Sequence, residues 1–370
     1  MQENVPIESY SGLRRILFPI FVVMLLFNST FAHAQVIIKV NDTVNFKFGT
    51  LIQAWADELQ DATTRGYANN LYLRRVRFIV AGQVAPNVTF FLQTDNPNVG
   101  KAPKAFVGTF LLQDAWVEWK LRDEFMLEAG LFLIPLNRSL LTSSGSNMTL
   151  DISPTSTVAT GALTQGNGNR DTGFQAKGYL ADGRLEYRAG VAQGIRDAAS
   201  RNPFRKSAYL QYDFWEKERG YVYAGTSLGK KKILALSGGY DAQKGYKAYS
   251  GSFTAHVPMA GNEFATQLMI NHYDGGAFIK TLPRQNDLDG EFAYYVAPLK
   301  IQPFAKIEKQ DFKTTVSNAT TDVMRYGAGA NYYVYGQNLK LTGQILHVVP
   351  KNKAIHSTNE ATVQFQIFYN

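Results

Sequence analysis

From residue 44 onward, apolar and polar side chains alternate in segments of about ten residues, the length of a tilted membrane-spanning strand. In the last segment Val363, Phe365 and Ile367 fall on one face of an extended chain, and Gln364 and Gln366 fall on the other. A period of two is that of a β-strand. The pattern predicts sixteen strands, at residues 44–55, 71–83, 87–95, 111–121, 124–133, 171–181, 184–193, 206–215, 232–242, 246–257, 263–272, 287–296, 300–310, 321–332, 338–348 and 359–369.

The connectors between these strands alternate in length. Short turns such as residues 122–123 and 182–183 alternate with long segments such as 96–110 and 134–170. This asymmetry is typical of transmembrane β-barrels, whose short turns face the periplasm and whose loops face outward. The connector at 216–231 is the exception, because it is long on the predicted periplasmic side, and we expect a small helix there.

The two faces of the predicted strands also indicate a barrel. Between residues 111 and 121, Val117 and Trp119 share an apolar face, while Asp114 and Glu118 share the opposite one. A soluble sandwich would place the charged face outside and would lack the rhythm of the connectors. Beyond residue 27 no apolar run is long enough for a spanning helix. The predicted fold is therefore all-β, a transmembrane antiparallel barrel of about sixteen strands, closed because lipid cannot satisfy open sheet edges.

The start of the chain predicts export. Arg14 and Arg15 precede an apolar run at 16–27, and Ala32-His33-Ala34 supplies a pattern of small residues for cleavage. These features predict a secretory signal peptide over residues 1–34, followed by a single barrel domain over 35–370. Pairs of aromatic residues such as Tyr294-Tyr295 and Tyr332-Tyr333 fall at the predicted periplasmic ends of strands, where an interfacial girdle is expected.

Composition and charge refine the picture. The chain has no cysteine, 20 tyrosines, 24 phenylalanines and a formal net charge of +8. Excess positive charge falls in the predicted outer loops, for example at Lys101, Lys104, Arg201 and Lys351. These side chains could draw anionic solutes to the mouth of the barrel or contact lipopolysaccharide phosphates, and the sequence does not separate the two. Nucleic acid is not an expected partner.

Ten basic residues are candidates for lining the lumen or its constriction. Arg138 and Arg170 bracket the longest connector. The others occupy inward strand positions, and they are Arg75, Arg77, Lys120, Lys177, Arg188, Lys306, Arg325 and Lys340. With Lys47, the inward basic residues number nine, and nine inward acids, among them Asp114, Glu128 and Glu308, balance them. Cross-linking of the wall by paired charges is therefore the more ordinary role for any one of them.

Signals of catalysis are weak. Residues 225–229 match the pattern G-x-S-x-G, which marks a nucleophile only between a strand and a helix of an α/β sheet. The histidines after residue 34 are isolated, without the spacing of a metal site. We expect no enzyme activity, no metal and no cofactor. A lipase-like barrel enzyme and a surface adhesin or structural barrel are the alternatives.

Four short motifs resemble one family of membrane channels. Leu73-Arg74-Arg75-Val76-Arg77, Gln113-Asp114-Ala115-Trp116-Val117, the segment 130–136 and Arg170-Asp171-Thr172-Gly173 occur in the order seen in the phosphate-selective porin O and P family. The resemblance implies a trimeric, sixteen-stranded porin whose third loop, here 134–170, folds inward. We therefore expect a bacterial outer-membrane porin for passive diffusion of small hydrophilic solutes, with a modest preference for anions, among which phosphate is a candidate.

Overall fold

Sixteen long strands close into one barrel. The computed structural model describes residues 36–102, 110–164, 167–314 and 321–369. Within these ranges every long strand pairs antiparallel with its neighbours in sequence, and the last pairs with the first. Phe365 lies opposite Ala54 at this closure. The predicted antiparallel barrel is confirmed, and the predicted signal peptide at 1–34 lies outside the described residues.

The strand bounds agree closely with the alternation in the sequence. A short strand that was not predicted, β1 at Ile37–Lys39, pairs with the start of β2. The first eight barrel strands are β2 Asn45–Gln60, β3 Tyr67–Ala85, β4 Val88–Asp95, β5 Leu111–Arg122, β6 Phe125–Leu133, β7 Arg170–Leu180, β8 Leu185–Ala192 and β9 Arg205–Asp213. The other eight are β10 Ile233–Gln243, β11 Tyr246–Met259, β12 Asn262–Asp274, β13 Gln285–Tyr295, β14 Ile301–Phe312, β15 Val323–Gln337, β16 Leu339–Pro350 and β17 Thr358–Tyr369.

Helical structure in the described ranges is slight. One short helix, α1 at Thr160–Thr164, and 3₁₀ turns at Pro154–Ser156 and Ala297–Leu299 are present. No helix in these ranges is both long and apolar enough to cross a membrane.

The connectors give the barrel two unlike ends. One end carries tight turns, including residues 86–87, 123–124 and 260–261, and we call it the short-turn end. The opposite, long-loop end carries connectors such as 134–169. Two connectors break the rhythm: residues 244–245 form a tight turn at the long-loop end, and residues 214–232 form a long segment at the short-turn end. The small helix expected in that segment is absent from it.

The two faces of the sheet differ as the alternation predicts. Outward positions hold exposed apolar side chains, among them Phe174 (70 % exposed) and Ile345 (65 %). Inward positions hold polar side chains such as Asp114 and Gln366, which are nevertheless buried because protein fills much of the lumen. One expectation for the aromatic girdle is wrong. Tyr333 faces inward, where its hydroxyl donates to Oε1 of Gln302 at 2.6 Å.

Candidate functional site: the lumen constriction

The described residues of the connector between β6 and β7, 134–164 and 167–169, lie inside the barrel, and we call this connector the lumen loop. Gln366 on β17 donates a hydrogen bond to the carbonyl of Gly145 at 2.7 Å. Asn331 on β15 donates to the carbonyl of Met148 at 2.8 Å. Further polar contacts tie the loop to β2, β3, β12, β13 and β16. The predicted inward fold of this loop is confirmed, and it obstructs the lumen.

Apolar packing fixes the lumen loop against one side of the barrel. Leu136, Leu140 and Leu163 of the loop join a buried cluster with Tyr246 on β11 and Tyr273 on β12. The hydroxyl of Tyr273 also donates to two loop carbonyls, at 3.0 and 3.1 Å. Burial of these side chains opposes detachment of the loop, since each large apolar side chain removed from water contributes about 1.5–3 kcal/mol.

An open cavity of about 670 Å³ remains on the opposite side, between the lumen loop and strands β2 to β5. Four arginines border it, and they are Arg74, Arg75, Arg77 and Arg170. The first three come from β3, and the fourth begins β7. Three aspartates, Asp95, Asp114 and Asp151, border the same cavity, so its charged side chains sum to one positive charge.

Asp151 of the lumen loop lies between two of these arginines. Its carboxylate is 2.7 Å from Nη2 of Arg75 and 3.0 Å from Nη2 of Arg74. Burial alone would raise the pKa of Asp151, but the two guanidinium groups outweigh burial and hold it below its usual range. The ionised loop carboxylate therefore joins the loop to β3 across the mouth of the cavity.

The other two arginines pair with acids of the barrel wall. Arg77 Nε is 2.9 Å from Asp95, and Arg170 Nη2 is 3.2 Å from Asp114. All four side chains are largely buried. Because every arginine at the cavity has a carboxylate partner, their positions are fixed while the excess of positive charge stays small.

The long connector at the short-turn end, residues 214–232, also enters the barrel, and we call it the inserted connector. The carboxylate of its Glu218 accepts hydrogen bonds from both terminal nitrogens of Arg138 in the lumen loop, at 2.6 and 2.9 Å. Burial opposes ionisation of Glu218, but Arg138 outweighs it and holds the pKa of Glu218 below its usual value. The backbone of Tyr223 bonds to Leu141 at 2.7 Å and to Ser143 at 2.9 Å. The inserted connector thus supports the lumen loop from the short-turn end of the barrel.

Tyr221 joins the inserted connector to the wall of the cavity through hydrogen bonds and ring contacts. Its hydroxyl donates to Asp114 and accepts a hydrogen bond from the backbone N–H of Leu133 at 2.8 Å. Its ring centroid lies 4.8 Å from that of Trp116 and 5.5 Å from that of Phe91. Burial and the nearby carboxylate of Asp114 raise the pKa of the Tyr221 phenol well above its usual value, so the hydroxyl stays a donor.

These features coincide with a match to a known family. The model of the family described as phosphate-selective porin O and P matches residues 46–320. The chain belongs to this family. It is an outer-membrane porin, a channel built as a β-barrel in the bacterial outer membrane. The comparison with curated proteins finds no match.

Solved structures share the fold of this porin at low sequence identity. Salmonella typhi OmpF in complex with daunomycin is 13 % identical, with a TM-score of 0.56, over 90 % of this chain and 100 % of that one. OmpT of Vibrio cholerae, folded in vitro and in a trimer form, is 11 % identical, with a TM-score of 0.53, over 88 % of this chain and 100 % of that one.

Three of the ten basic candidates border the cavity of the porin, namely Arg75, Arg77 and Arg170. Arg138 does not. It is 1 % exposed, because Glu218 and the Tyr223 ring cover its guanidinium group. Pairing with the inserted connector, which the sequence did not place inside the barrel, therefore keeps Arg138 away from the cavity.

The remaining six candidates lie elsewhere in the wall. Lys177 bridges Glu118 and Glu128, and Arg188 bonds to Glu186 and to two carbonyls of the inserted connector. The other four have these partners: Lys306 pairs with Glu308, Arg325 donates to Gln310, Lys340 donates to the carbonyl of Asn147, and Lys120 pairs with Asp123 near a short turn. Paired wall charges are thus the rule among them.

Two of the basic residues in the predicted outer loops pair with acids. Lys101 lies 3.5 Å from Asp57, and Lys351 lies 2.9 Å from Asp322. Both acids belong to neighbouring strands or loops that are distant in sequence. Lys104 falls outside the described residues.

Arg74 is the cavity residue that the alternation misassigned. Strict period two places it outward beside Arg75, but the pairing of β2 with β3 shifts at Gln53 and Ala54, which lie opposite Arg75 and Leu73. Arg74 is the extra residue of this bulge, and a bulge re-aims a side chain. No signal in the sequence marks the shift. Tyr221 was missed for a different reason, because nothing local shows that its connector enters the barrel.

Proposed function

We propose that this porin lets small hydrophilic solutes diffuse passively and prefers anions modestly. The observation that carries the proposal is the cavity beside the lumen loop, where four arginines meet three aspartates. A passage whose wall holds a positive excess favours anions. The preference is modest because each guanidinium group already has a carboxylate partner.

The cavity arginines rather than Arg138 set this preference. Arg75, Arg77 and Arg170 border open space, whereas Arg138 is covered by the inserted connector. Arg74 adds a fourth charge at the outer side of the same cavity. Phosphate is one candidate among the anions, since the family takes its name from it.

We propose no catalytic role. In the G-x-S-x-G segment, the hydroxyl of Ser227 donates to the carboxylate of Glu263 and no bond joins it to a histidine in the described structure. The segment lies in the inserted connector, where Thr226 also donates to Glu263 at 2.6 Å. These bonds anchor the connector to the wall, which is a sufficient role for the motif.

We also propose a homotrimer in contact with outer-membrane lipid and lipopolysaccharide. The trimer form of the similar Vibrio cholerae barrel supports the first part. Exposed basic side chains at the long-loop end, such as Arg201, support the second. The native mass of the detergent-extracted porin tests the trimer, because a single-barrel mass would contradict it.

The reversal potential under a KCl gradient tests the selectivity. The wild type should prefer chloride, most clearly at low salt, because screening acts within about 10 Å at 0.1 M. The double variant Arg77→Gln/Arg170→Gln leaves two arginines and three aspartates at the cavity, and its preference should reverse towards potassium. Lys120→Gln, which removes a charge outside the cavity, is the matched control and should change little. A cation preference of the wild type would contradict the proposal.

A further inference from the structure

The cavity wall changes character along the barrel axis. On the inward faces of β2 to β5, Arg75, Arg77 and Asp95 lie toward the long-loop end. Ile79 on β3 lies one inward position further toward the short-turn end than Arg77, and Phe91 on β4 lies two inward positions beyond Asp95, with Gln93 between them. Successive inward positions are about 7 Å apart along a strand. The wall is therefore mainly charged toward the long-loop end and mainly apolar toward the short-turn end, and Gln93 and Asp114 lie between the two.

The pairing of the strands shows which apolar side chains adjoin one another in this wall. Phe91 lies opposite Trp116 on β5, and their rings stack 5.6 Å apart at an interplanar angle of 17°. Leu51 on β2 lies opposite Arg77 and borders the cavity beside Ile79. Apolar side chains therefore border the cavity on β2, β3 and β4, with Leu51 level with Arg77 and Phe91 nearest the short-turn end.

The inserted connector adds two side chains to this apolar surface from the short-turn end. Tyr221 and Val222 border the same cavity, and the Tyr221 ring closes the cluster formed by Phe91 and Trp116. Phe368 at the end of β17 adds a further apolar side chain. An apolar surface of this kind contributes no favourable binding free energy to a hydrated inorganic ion, because its side chains offer no hydrogen bond to replace lost water.

We infer that the cavity binds organic anions with a compact apolar body, such as small aromatic carboxylates, in preference to anions without one. The inference rests on the proposed anion-conducting function and names the class of solute that the site takes. The carboxylate would meet Arg75 and Arg77, and the apolar body would lie against Ile79 and Phe91. Removing the body from water supplies the preference, at about 25 cal/mol per Å² of apolar surface buried.

Block of chloride current in planar bilayers tests the inference with two probes, benzoate and acetate, which share a carboxylate and differ in the ring. Benzoate should halve the single-channel chloride current of the full-length porin at about one tenth of the acetate concentration, as expected for partial burial of one ring. Equal potency of the two carboxylates in a chloride-selective wild type would overturn the inference and leave the proposed function standing. A wild type without chloride preference would instead overturn the proposed function.

Variants locate the effect. Phe91→Ser should bring the two half-blocking concentrations to within about threefold, since it removes most of the apolar contact. Phe90→Ser is the matched control, because Phe90 is the neighbour on the opposite face of β4, in contact with Phe46. Ile79→Thr, which keeps the branched shape, should lower the advantage of benzoate partway and guards against a folding defect of the first variant. An unchanged advantage in both cavity variants would contradict the inference.

Discussion

The two sides of the lumen are built from the same kind of strand wall, but one side is filled by the lumen loop and the other borders an open cavity. Along β11 to β16, inward side chains meet the lumen loop: Tyr246 and Tyr273 pack against its leucines, and Asn331 and Lys340 donate to its carbonyls. Along β2 to β5 the same inward positions border open space. Arginines held by aspartates occupy that side.

From this difference we infer that the path of a solute is set by where the loop is attached rather than by the barrel. A sixteen-stranded barrel alone encloses a wide lumen. The apolar contacts and the carbonyl acceptors of the lumen loop match one half of the wall, so that half is filled. On the open half the loop makes ionic contact, through Asp151, and leaves space beside it.

Removing the loop should abolish the difference between the two sides and produce the largest effect. A porin lacking residues 140–164 should show a severalfold higher single-channel conductance, because the filled half of the lumen would open. A deletion of residues 352–356, in an outer loop, is the control and should leave the conductance near that of the wild type. Unchanged conductance in a folded loop-deletion variant would place the lumen loop outside the passage.

Breaking the ion pair between Glu218 of the inserted connector and Arg138 should make the lumen loop more mobile while it stays in the barrel. Glu218→Gln leaves the buried Arg138 without its carboxylate, and loss of one partner of a buried pair costs about 3–5 kcal/mol. We expect a lower unfolding midpoint and noisier single-channel current. Replacing both residues by methionine should restore part of the stability, since no unpaired charge remains. A double variant as unstable as the single one would contradict the ionic role of the pair.

The ionic link on the open side should have a small and pH-dependent effect. The pKa of Asp151 lies below its usual value, so its contribution to stability is present above the unfolded pKa of about 3.9 and is lost as the pH falls through the lower folded pKa. The difference in unfolding midpoint between wild type and Asp151→Asn should therefore be constant from pH 8 to about 5.5 and should shrink only in stronger acid. A difference that disappears near neutral pH would contradict the assignment.

Most of the barrel could be predicted from the sequence because period two acts locally. All sixteen predicted strands are present, and the tight turns alternate with long loops apart from the two connectors at 214–232 and 244–245. The closing pair of β17 with β2 follows from the apolar face of Phe365 and Ile367. The inward loop followed from family resemblance rather than from alternation.

The site was harder to predict because it depends on contacts distant in sequence. Arg138 looked like a constriction residue until Glu218, from the opposite end of the barrel, covered it. Arg74 joined the cavity through a bulge that no residue pattern marks. Tyr221 reached Asp114 across 107 residues of sequence. The cases of Arg138 and Tyr221 are decided by a connector that enters the lumen, and polar loop sequences do not reveal which connectors do so.

Accessibility from solution tests the contrast between the two sides most directly. The natural chain has no cysteine, so Gln93→Cys on the open side and Asn331→Cys behind the lumen loop can be compared without background. A negatively charged methanethiosulfonate reagent should reduce the current of the first variant quickly. It should act at least about tenfold more slowly on the second, where the native asparagine is 0 % exposed. Equal rates, or faster reaction at position 331, would contradict the account.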